Sequence, residues 1–216
     1  MSIIIAVDGT AASGKGTLAK KLAKHFGFSY LDTGALYRLT GVGVLEAGGD
    51  PQDAAAAVAA ARSIDPARST DPAIRTAAAG TAASLVSAIP AVRAALLDFQ
   101  REFAANGPGA VLDGRDIGTV VCPDARAKLF VDAAPEVRAH RRWLELKDQG
   151  PTEDQILADI IARDERDRSR ATAPLKPAED AALLDTSNLD IEGAFAAALA
   201  LVYPAVKTAL KSSAQG

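Results

Sequence analysis

The sequence predicts an α/β fold in which helices flank a five-stranded parallel sheet. Short apolar runs alternate along the chain with segments of helical periodicity, and strands that alternate with helices require crossover connections between parallel strands. A glycine-rich loop follows the first apolar run, at the end of the strand where sheets of this kind bind ligands. The chain has 216 residues and 49% hydrophobic content, which is enough to bury one such core.

Five apolar runs are the predicted strands. They occupy residues 3–7, 28–31, 110–113, 128–132 and 183–185. Carboxylate residues stand at or just after the ends of four of them, at Asp8, Asp32, Asp113 and Asp132. Because the carboxyl ends of parallel strands meet at one edge of the sheet, we expect ligands to gather there.

The first strand leads into a loop with the pattern of a phosphate-binding site. The loop comprises Gly9, Thr10, Ala11, Ala12, Ser13, Gly14, Lys15, Gly16 and Thr17. Its glycines let successive backbone N–H groups point inward, and Lys15 can reach the terminal phosphates of a nucleotide. The spacing of Leu18, Leu22 and Phe26 predicts a helix, whose dipole favours the same anion. A surface turn could match this motif by chance, but the flanking strand and helix favour an ATP site.

The loop departs from the common pattern at the position that contacts the metal. A Ser or Thr usually follows the lysine directly and holds Mg²⁺, whereas here Gly16 intervenes and the hydroxyl comes at Thr17. We therefore expect Mg²⁺ to be held mainly by the phosphates of ATP and by water, rather than by a protein metal site.

Composition and charge exclude several classes of protein. The net charge of -3 argues against a general nucleic-acid or membrane-surface binder. Cys122 is the only cysteine, so one chain cannot form a disulfide framework or a thiolate zinc cluster. No apolar run looks long enough to span a bilayer. We expect a cytoplasmic monomer whose partners are small anions.

The stretch between Gly41 and Asn106 is alanine-rich and predicted to be helical. It is interrupted at residues 48–51, which read Gly-Gly-Asp-Pro, and at the Asp-Pro pairs that begin at Asp65 and Asp71. We interpret it as an appendage to the sheet.

An arginine-rich block lies at residues 162–170. At 100° per residue, a helix would place Arg163, Arg166, Asp167 and Arg170 on one face, while Arg168 would point away. A solvated helix with local pairs such as Arg163 with Asp167 would give the same pattern. The face carries two surplus positive charges, however, and the planar guanidinium fork suits phosphate oxygens, so we favour phosphate binding.

Two further segments leave the carboxyl ends of predicted strands. In residues 31–38, Thr33 could cap a helix and Arg38 could be an exposed charge. In residues 113–119, Gly114 and Gly118 suggest a loop that lies close to a ligand, with Arg115 between two carboxylates. Both segments share an edge with the phosphate loop, which favours a second ligand site.

Together these segments resemble the bacterial cytidylate kinases, a family of nucleoside monophosphate kinases. The resemblance is carried by residues 14–17, 32–38, 113–121, 163–170, 173–175 and 184–185. It implies the P-loop nucleoside monophosphate kinase fold, with a core of residues 1–40, 107–145 and 172–216, a monophosphate-binding appendage of residues 41–106 and a lid of residues 146–171. The implied reaction, with Mg²⁺, converts ATP and CMP or dCMP into ADP and CDP or dCDP.

The resemblance also implies roles for individual residues. The phosphates would be held by Arg38, Arg115, Arg163 and Arg170, of which the last three would act in catalysis with Lys15. Asp167 would meet the sugar of the acceptor, Thr33 would lie in the acceptor site, and cytosine would be read by Ser84, Arg93 and Asp116. An Asp carboxylate can accept the amino group of cytosine, whereas uracil would present a carbonyl oxygen to it. For Ser84 and Arg93, a simple position on a helix surface remains an alternative.

The chain departs from the family pattern at three places. Thr10 stands where Pro is usual and Ala12 where Gly is frequent, so the loop could be less constrained, although binding should survive. The chain is also shorter near residues 63–76, where relatives form a small antiparallel sheet over the acceptor. This leaves the preference among CMP, dCMP and UMP open.

The chemistry requires no base or nucleophile. The acceptor phosphate is already anionic, so His25, His140 and Cys122 can be structural, and catalysis depends on aligning two polyanions and excluding water under a lid. A related small kinase acting on another acceptor, or a nucleotide-dependent switch that transfers no phosphate, would share the loop. A nucleic-acid ATPase is disfavoured by the acidic balance.

Overall fold

Five parallel strands form one sheet in the order β2-β3-β1-β4-β5. The computed structural model describes residues 2–146 and 150–213. The strands are β1 Ile3–Gly9, β2 Ser29–Asp32, β3 Gly109–Gly114, β4 Ala127–Asp132 and β5 Ala182–Asp185. The prediction of five parallel strands is confirmed, and each predicted bound lies within two residues of the observed one.

Eight α-helices accompany the sheet in the described ranges. They are α1 Lys15–Phe26, α2 Thr33–Glu46, α3 Ala54–Ser63, α4 Ala77–Val86, α5 Pro90–Ala105, α6 Pro135–Leu146, α7 Glu153–Ser169 and α8 Ile191–Ser213. Two 3₁₀ turns cover Pro66–Thr70 and Pro72–Arg75, and a π turn covers Ile117–Val121. Capping side chains begin several helices because they accept the first free backbone N–H groups, as Thr152 does for α7.

The central strand β1 is buried on both faces. Ile3, Ile5 and Val7 pack with α1 and α8 on one face, while Ala6 packs with residues of α5 and the π turn on the other. Successive side chains of a strand point to opposite faces, so a strand covered on both sides reads as a continuous apolar run. This burial on both faces explains why the continuous apolar run of residues 3–7 predicted β1.

The stretch between Gly41 and Asn106 is helical, as predicted. The end of α2 and helices α3, α4 and α5 surround an apolar cluster that includes Leu36, Val86 and Leu96. Asp65 and Asp71 begin the two 3₁₀ turns by accepting backbone N–H groups two residues further along. Residues 66–75 therefore form helical turns rather than a small antiparallel sheet.

Helix α8 corrects one expectation. Its residues Ile191–Ser212 have a mean hydropathy of 1.5, so by length and composition alone this helix could cross a membrane. One such helix is weak evidence, because core helices pass the same test, and here Ala194, Ala198, Val202 and Val206 pack in the cluster that contains β1. The length of α8 was not evident from the sequence, because alanines and Pro204 interrupt its larger apolar residues.

The crossing of α2 and α4 yields a prediction about stability. A Cβ atom added at Gly41 would lie 2.7 Å from Ala82 Cβ, whereas one added at Gly43 would lie 3.7 Å from Ala60 Cβ. We expect Gly41→Ala to lower the free energy of unfolding by about 1–3 kcal/mol through overpacking. The matched control, Gly43→Ala, should raise it by about 0.5–1 kcal/mol because alanine favours a helix. Urea denaturation measures both, and a Gly41→Ala variant as stable as the parent would contradict the packing.

Candidate functional site

A cavity of about 760 Å³ opens at the carboxyl edge of the sheet. It lies between the phosphate loop, the segment around residues 69–87 and helices α6 and α7. The predicted site residues in its wall are Ala11, Ala12, Ser13, Gly14, Lys15, Gly16, Thr17, Thr33, Arg38, Arg93, Arg115, Asp116, Arg163, Asp167 and Arg170. The fold therefore brings the separate sequence motifs to one place. Within the described part of the chain, the cavity wall does not include Gly9, Thr10 or Ser84.

The phosphate loop adopts two left-handed backbone conformations. Gly14 has φ of 86° directly before α1, and Ala12 has φ of 58°. An alanine in this region is strained by about 1–2 kcal/mol. Ala12 packs against the apolar cluster that joins α6 to α7, so its side chain constrains the loop rather than loosening it.

Hydrogen bonds fix the shape of the loop. Thr10, the residue that replaces the usual proline, donates from Oγ1 to Asp132 Oδ1 at 2.6 Å. Its carbonyl oxygen accepts hydrogen bonds from Ser13 Oγ at 3.1 Å and Lys15 Nζ at 3.2 Å. Thr186 Oγ1 donates to Ser13 O at 3.0 Å. Sequence reasoning missed Thr186, whose only signal is its place directly after β5.

A buried ion pair ties the loop to α6 and α7. Arg138 Nη1 lies 2.7 Å from Asp164 Oδ2, and their side chains are only 2% and 3% exposed. Arg138 Nη1 donates to Ala11 O at 3.0 Å, while Ala11 N donates to Asp164 Oδ1 at 3.4 Å. Both charges therefore hold the same residue of the loop. Sequence reasoning missed this pair, although Asp164 stands inside the arginine-rich block.

The side of α7 that lines the cavity follows the helical spacing. Arg163, Arg166, Asp167 and Arg170 line the cavity, whereas Arg168 lines a separate groove behind it. Asp167 Oδ2 accepts a hydrogen bond from Arg115 Nε at 3.0 Å, and Asp167 Oδ1 lies 3.6 Å from Arg170 Nη2. The local pair of Arg163 with Asp167 is thus replaced by pairs that reach Arg115 and Arg170.

The electrostatics of this side indicate a binding site for anions. Burial, together with the charge of the nearby Arg115 guanidinium, lowers the pKa of Arg163 to about 10. Burial would raise the pKa of Asp167, but Arg115, Arg163 and Arg170 together hold it below its usual value. Within the described ranges, the buried Arg163 Nε and Arg170 Nη2 donate no hydrogen bond. Buried donors without acceptors are costly, so an anionic ligand would stabilise them.

Lys15 lies near Asp113 in the cavity wall, and the sequence analysis gave Asp113 no individual role in the site. Burial lowers the pKa of Lys15 to about 7, with Arg115 adding to the shift. Burial and the charge of Asp32 raise the pKa of Asp113 to about 6. Tyr30 Oη donates to Asp113 Oδ1 at 2.8 Å. The place of Asp113 at a strand end beside the loop was the signal available in the sequence.

Thr33 and Arg38 both lie in the wall, but neither has the alternative role that their sequence allowed. Asp32 caps α2 by accepting from Ala35 N at 3.0 Å, while Thr33 Oγ1 donates to Asp113 O at 2.7 Å. Arg38 Nη2 lies 2.6 Å from Asp32 Oδ2 and its side chain is 27% exposed. Arg38 is therefore a paired cation of the cavity rather than a free surface charge.

The predicted base-reading residues divide into two groups. Arg93 and Asp116 form a buried ion pair, and the Arg93 guanidinium lies 5.4 Å above the centre of the Tyr37 ring. Ser84 instead accepts a hydrogen bond from Arg166 Nε at 3.3 Å, outside the wall of the cavity. Ser87, one turn further, lines the cavity, and we had not identified it.

The family is decided by comparison with known sequences. A sequence model of the family described as cytidylate kinase matches residues 5–203. This chain belongs to the cytidylate kinase family. A cytidylate kinase of Afipia carboxidovorans is 61% identical over 208 residues, which cover 95% of this chain and 100% of that protein. A cytidylate kinase of Rhodopseudomonas palustris is 61% identical over 202 residues, which cover 93% and 95%.

Solved structures outside the cytidylate kinase family share the fold. A gluconokinase from Sinorhizobium meliloti aligns with a TM-score of 0.51 at 14% identity, covering 98% of this chain and 97% of that chain. A shikimate kinase from Bacteroides thetaiotaomicron aligns with a TM-score of 0.50 at 16% identity, covering 93% and 98%. These likenesses concern the fold alone and confirm the predicted P-loop kinase fold.

The pair of Arg138 and Asp164 allows a test of how the loop is held. We expect Asp164→Ala to lower the free energy of unfolding by about 3–5 kcal/mol, because it leaves the Arg138 charge buried without a partner. The double variant Arg138→Met with Asp164→Leu should regain most of that loss, since it buries no charge.

The matched control for this test is Glu192→Gln. Glu192 pairs with Lys21 at 2.6 Å, and the two side chains are 75% and 32% exposed. Exposed pairs contribute about 0–1 kcal/mol, so this variant should be nearly neutral. Chemical denaturation compares all three variants. A loss in Asp164→Ala no larger than that in Glu192→Gln would show that the buried pair does not support the fold.

Proposed function

We propose that this chain transfers the terminal phosphate of ATP to CMP or dCMP, giving ADP and CDP or dCDP, within pyrimidine nucleotide metabolism. The observation that carries the proposal is one cavity in which a phosphate-binding loop faces arginines and an Arg–Asp pair suited to cytosine. Relatives named cytidylate kinase, at about 60% identity over nearly the whole chain, support it.

ATP would bind with its phosphates in the loop of residues 9–17. The first turn of α1 has no acidic residue, so its free N–H groups and dipole can face phosphate oxygens without repulsion. Lys15 lies in the cavity wall, and its lowered pKa shows how strongly burial and neighbouring cations disfavour its charge. The negative phosphates of ATP would restore that charge.

CMP would bind at the opposite side of the same cavity. Its phosphate would be held by Arg38, Arg115, Arg163 and Arg170, with Asp167 near the sugar. Asp116 Oδ2 already pairs with Arg93, so the amino group of cytosine would approach Oδ1, and Arg93 can donate to the acceptors of the ring. Thr33, at the start of α2, supports this wall by donating a hydrogen bond to Asp113 O of β3. Ser84 stays a prediction, with its hydroxyl directed at Arg166.

Catalysis would come from positioning and charge rather than from a proton-transfer residue. The acceptor oxygen is an anion near neutral pH, so the main barrier is the repulsion between the two substrates. Lys15, Arg115, Arg163 and Arg170 offset that repulsion from fixed positions and align the two phosphates. Helix α7 covers the cavity and contacts the far side through Arg166 and Ser84, which would keep water from the reacting phosphate.

The residues near the loop fit Mg²⁺ bound together with ATP. Mg²⁺ prefers oxygen ligands and usually keeps several waters. Burial and the charge of Asp32 raise the pKa of Asp113 beside the loop, and a cation would relieve the repulsion between the two carboxylates. The described residues contain no group of three or more His, Cys, Asp or Glu side chains able to hold a metal without the nucleotide. Mg²⁺, when bound, would neutralise part of the phosphate charge.

We also propose the division of the chain into a core of residues 1–40, 107–145 and 172–216, a monophosphate-binding appendage of residues 41–106 and a lid of residues 146–171. Residues 147–149 of the lid lie outside the described ranges. The apolar cluster around Leu36 and Leu96 supports the appendage, and the cluster of α6 with α7 supports the lid. A cytoplasmic monomer that binds neither nucleic acid nor membrane is part of the same proposal, since residues of one chain form the cavity wall.

Acceptor-dependent formation of ADP tests the function. With CMP, dCMP, UMP and AMP as acceptors, we expect CMP or dCMP to be preferred. UMP should have a kcat/KM about ten- to a hundredfold lower, because its carbonyl would face the Asp116 carboxylate at a cost of about 1–3 kcal/mol. Equal use of UMP would contradict the proposed base reading. ADP formation that ignores every acceptor would indicate a nucleotide switch instead.

The arginines of α7 provide a second test with a control on the same helix. We expect the double variant Arg163→Ala and Arg170→Ala to lower kcat/KM about a thousandfold or more, since each donor to a transition-state charge contributes about a hundredfold or more. Arg168→Ala removes an exposed arginine from the opposite face and should change kcat/KM less than about threefold. Steady-state kinetics measure both. Unchanged turnover in the double variant would contradict the role of this face.

A further inference from the structure

Asp8 is a buried carboxylate to which the proposed mechanism gives no task. It is the residue of β1 directly before the phosphate loop, and only 5% of it is exposed. In the sheet it lies between Gly114 of β3 and Phe130 of β4. A carboxylate in this position is costly unless hydrogen bonds stabilise it, so its partners reveal its role.

Both oxygens of Asp8 accept hydrogen bonds from the π turn. Ile117 N donates to Oδ1 and Gly118 N donates to Oδ2, each at 2.7 Å. These amides belong to the first residues of the turn, where a helical segment has N–H groups without internal partners. Hydrogen bonds to an ionised carboxylate are among the stronger ones in proteins, so Asp8 fixes the start of this turn.

The turn that Asp8 holds carries the acceptor-facing residues. Arg115 and Asp116 stand directly before Ile117, and they pair with Asp167 and Arg93, respectively. A shift of the backbone at Ile117 would therefore move both pairs. Since Asp8 also precedes Gly9, one side chain connects the entry of the ATP loop with the proposed CMP site.

The surroundings of Asp8 make its charge sensitive to pH. Its pKa is raised to about 7, mainly by burial and in smaller part by the charge of Asp116. The hydrogen bonds from the Gly118 and Ile117 amides and the charge of Arg115 oppose this rise. Below that pH the carboxyl gains a proton, and its protonated oxygen no longer accepts well from a backbone amide.

Other charged or titratable groups also approach this region. The stem of Lys128 on β4 lies against Gly118, Arg101 on α5 donates to the Val120 and Val121 carbonyl oxygens, and Cys122 follows the turn. The pKa of the Cys122 thiol is raised by burial, so it stays neutral near pH 7.

We propose that Asp8 is a positioning residue for the acceptor, whose ionised carboxylate holds the turn at Ile117 and Gly118 and thereby keeps Arg115 and Asp116 in place for a cytidine monophosphate. The proposal rests on the proposed function for its acceptor. It requires the affinity for the acceptor, rather than that for ATP, to follow the charge of Asp8. It also requires the hydrogen bonds of the Ile117 and Gly118 amides to change when the Asp8 carboxylate gains or loses a proton.

Kinetics of Asp8→Asn test the positioning role. Asn presents one carbonyl oxygen and one NH₂ group, so it can accept only one of the two amides. We expect KM for CMP to rise about tenfold or more, the effect of losing a hydrogen bond to a charged group, while KM for ATP changes less than about twofold. The parent enzyme should also lose affinity for CMP as the pH falls from 8 to 6. Asp8→Asn should show only the pH dependence of CMP itself.

The control is Glu192→Gln, which makes the same change from a carboxylate to an amide at a site that is 75% exposed and should leave both KM values and their pH profiles unchanged. If KM for ATP and CMP rose together in Asp8→Asn, or if only kcat fell, Asp8 would be a general structural residue and the proposal would be wrong.

A measurement on the parent protein tests the proposal without activity, and it remains decisive if the Asp8→Asn variant does not fold. In the parent protein, the amide proton resonances of Ile117 and Gly118 should titrate together with a midpoint near pH 7, as followed by NMR. The amide of Gly43 serves as a distant reference. Amides that do not titrate between pH 5.5 and 8.5 would overturn the proposal. Absence of phosphate transfer to every pyrimidine monophosphate would overturn the proposed function, while this titration would still decide whether Asp8 holds the turn.

Discussion

The confinement of many cations in one cavity is the constraint on which the rest of the site depends. Lys15, Arg38, Arg115, Arg163 and Arg170 line it together with Arg93 and Arg166. Burial and mutual repulsion lower the pKa of both Lys15 and Arg163, so the folded chain holds these groups in an unfavourable state. Two phosphate-bearing ligands would relieve that state, because they bring negative charge into a region of low dielectric constant. Part of the affinity for such ligands would therefore come from relieving the repulsion among these buried cations.

The carboxylates of the cavity keep the arginines apart and oriented. Asp32 binds Arg38, and Asp167 binds Arg115 while it lies near Arg170. A guanidinium has five N–H donors, so a carboxylate that accepts from one edge leaves the others free for phosphate oxygens. Arg38, Arg115 and Arg170 are thus held in position by carboxylates, which would reduce the entropy lost when a ligand binds.

Sequence reasoning reached the features that depend on local pattern. The strands were visible because burial on both faces produces continuous apolar runs, and the face of α7 was visible because the helical repeat is fixed at 100° per residue. It failed where a role depends on contact between distant segments. Arg138 lies 127 residues from the loop residue that it holds, and nothing near it in sequence marks it as buried. Ser84 and Ser87 lie about one helical turn apart, so the sequence does not show which of them lines the cavity. The structure decides this, because Ser84 accepts a hydrogen bond from Arg166 while Ser87 lies in the cavity wall.

Ala12 shows how a residue that weakens a loop locally can strengthen its connection to the rest of the protein. Its left-handed backbone costs about 1–2 kcal/mol relative to glycine, whereas full burial of one methyl group would return about 0.8 kcal/mol. Because Ala12 is only partly buried, its methyl group offsets part of the strain and not all of it. The methyl group packs on the cluster of Ala139, Leu146, Ile156 and Ile160, and the adjacent Ala11 is held by Arg138 and Asp164. The loop is therefore packed against α6 and bonded to α7, so a change in its shape would disturb the contacts of the helix that carries Arg163 and Arg170.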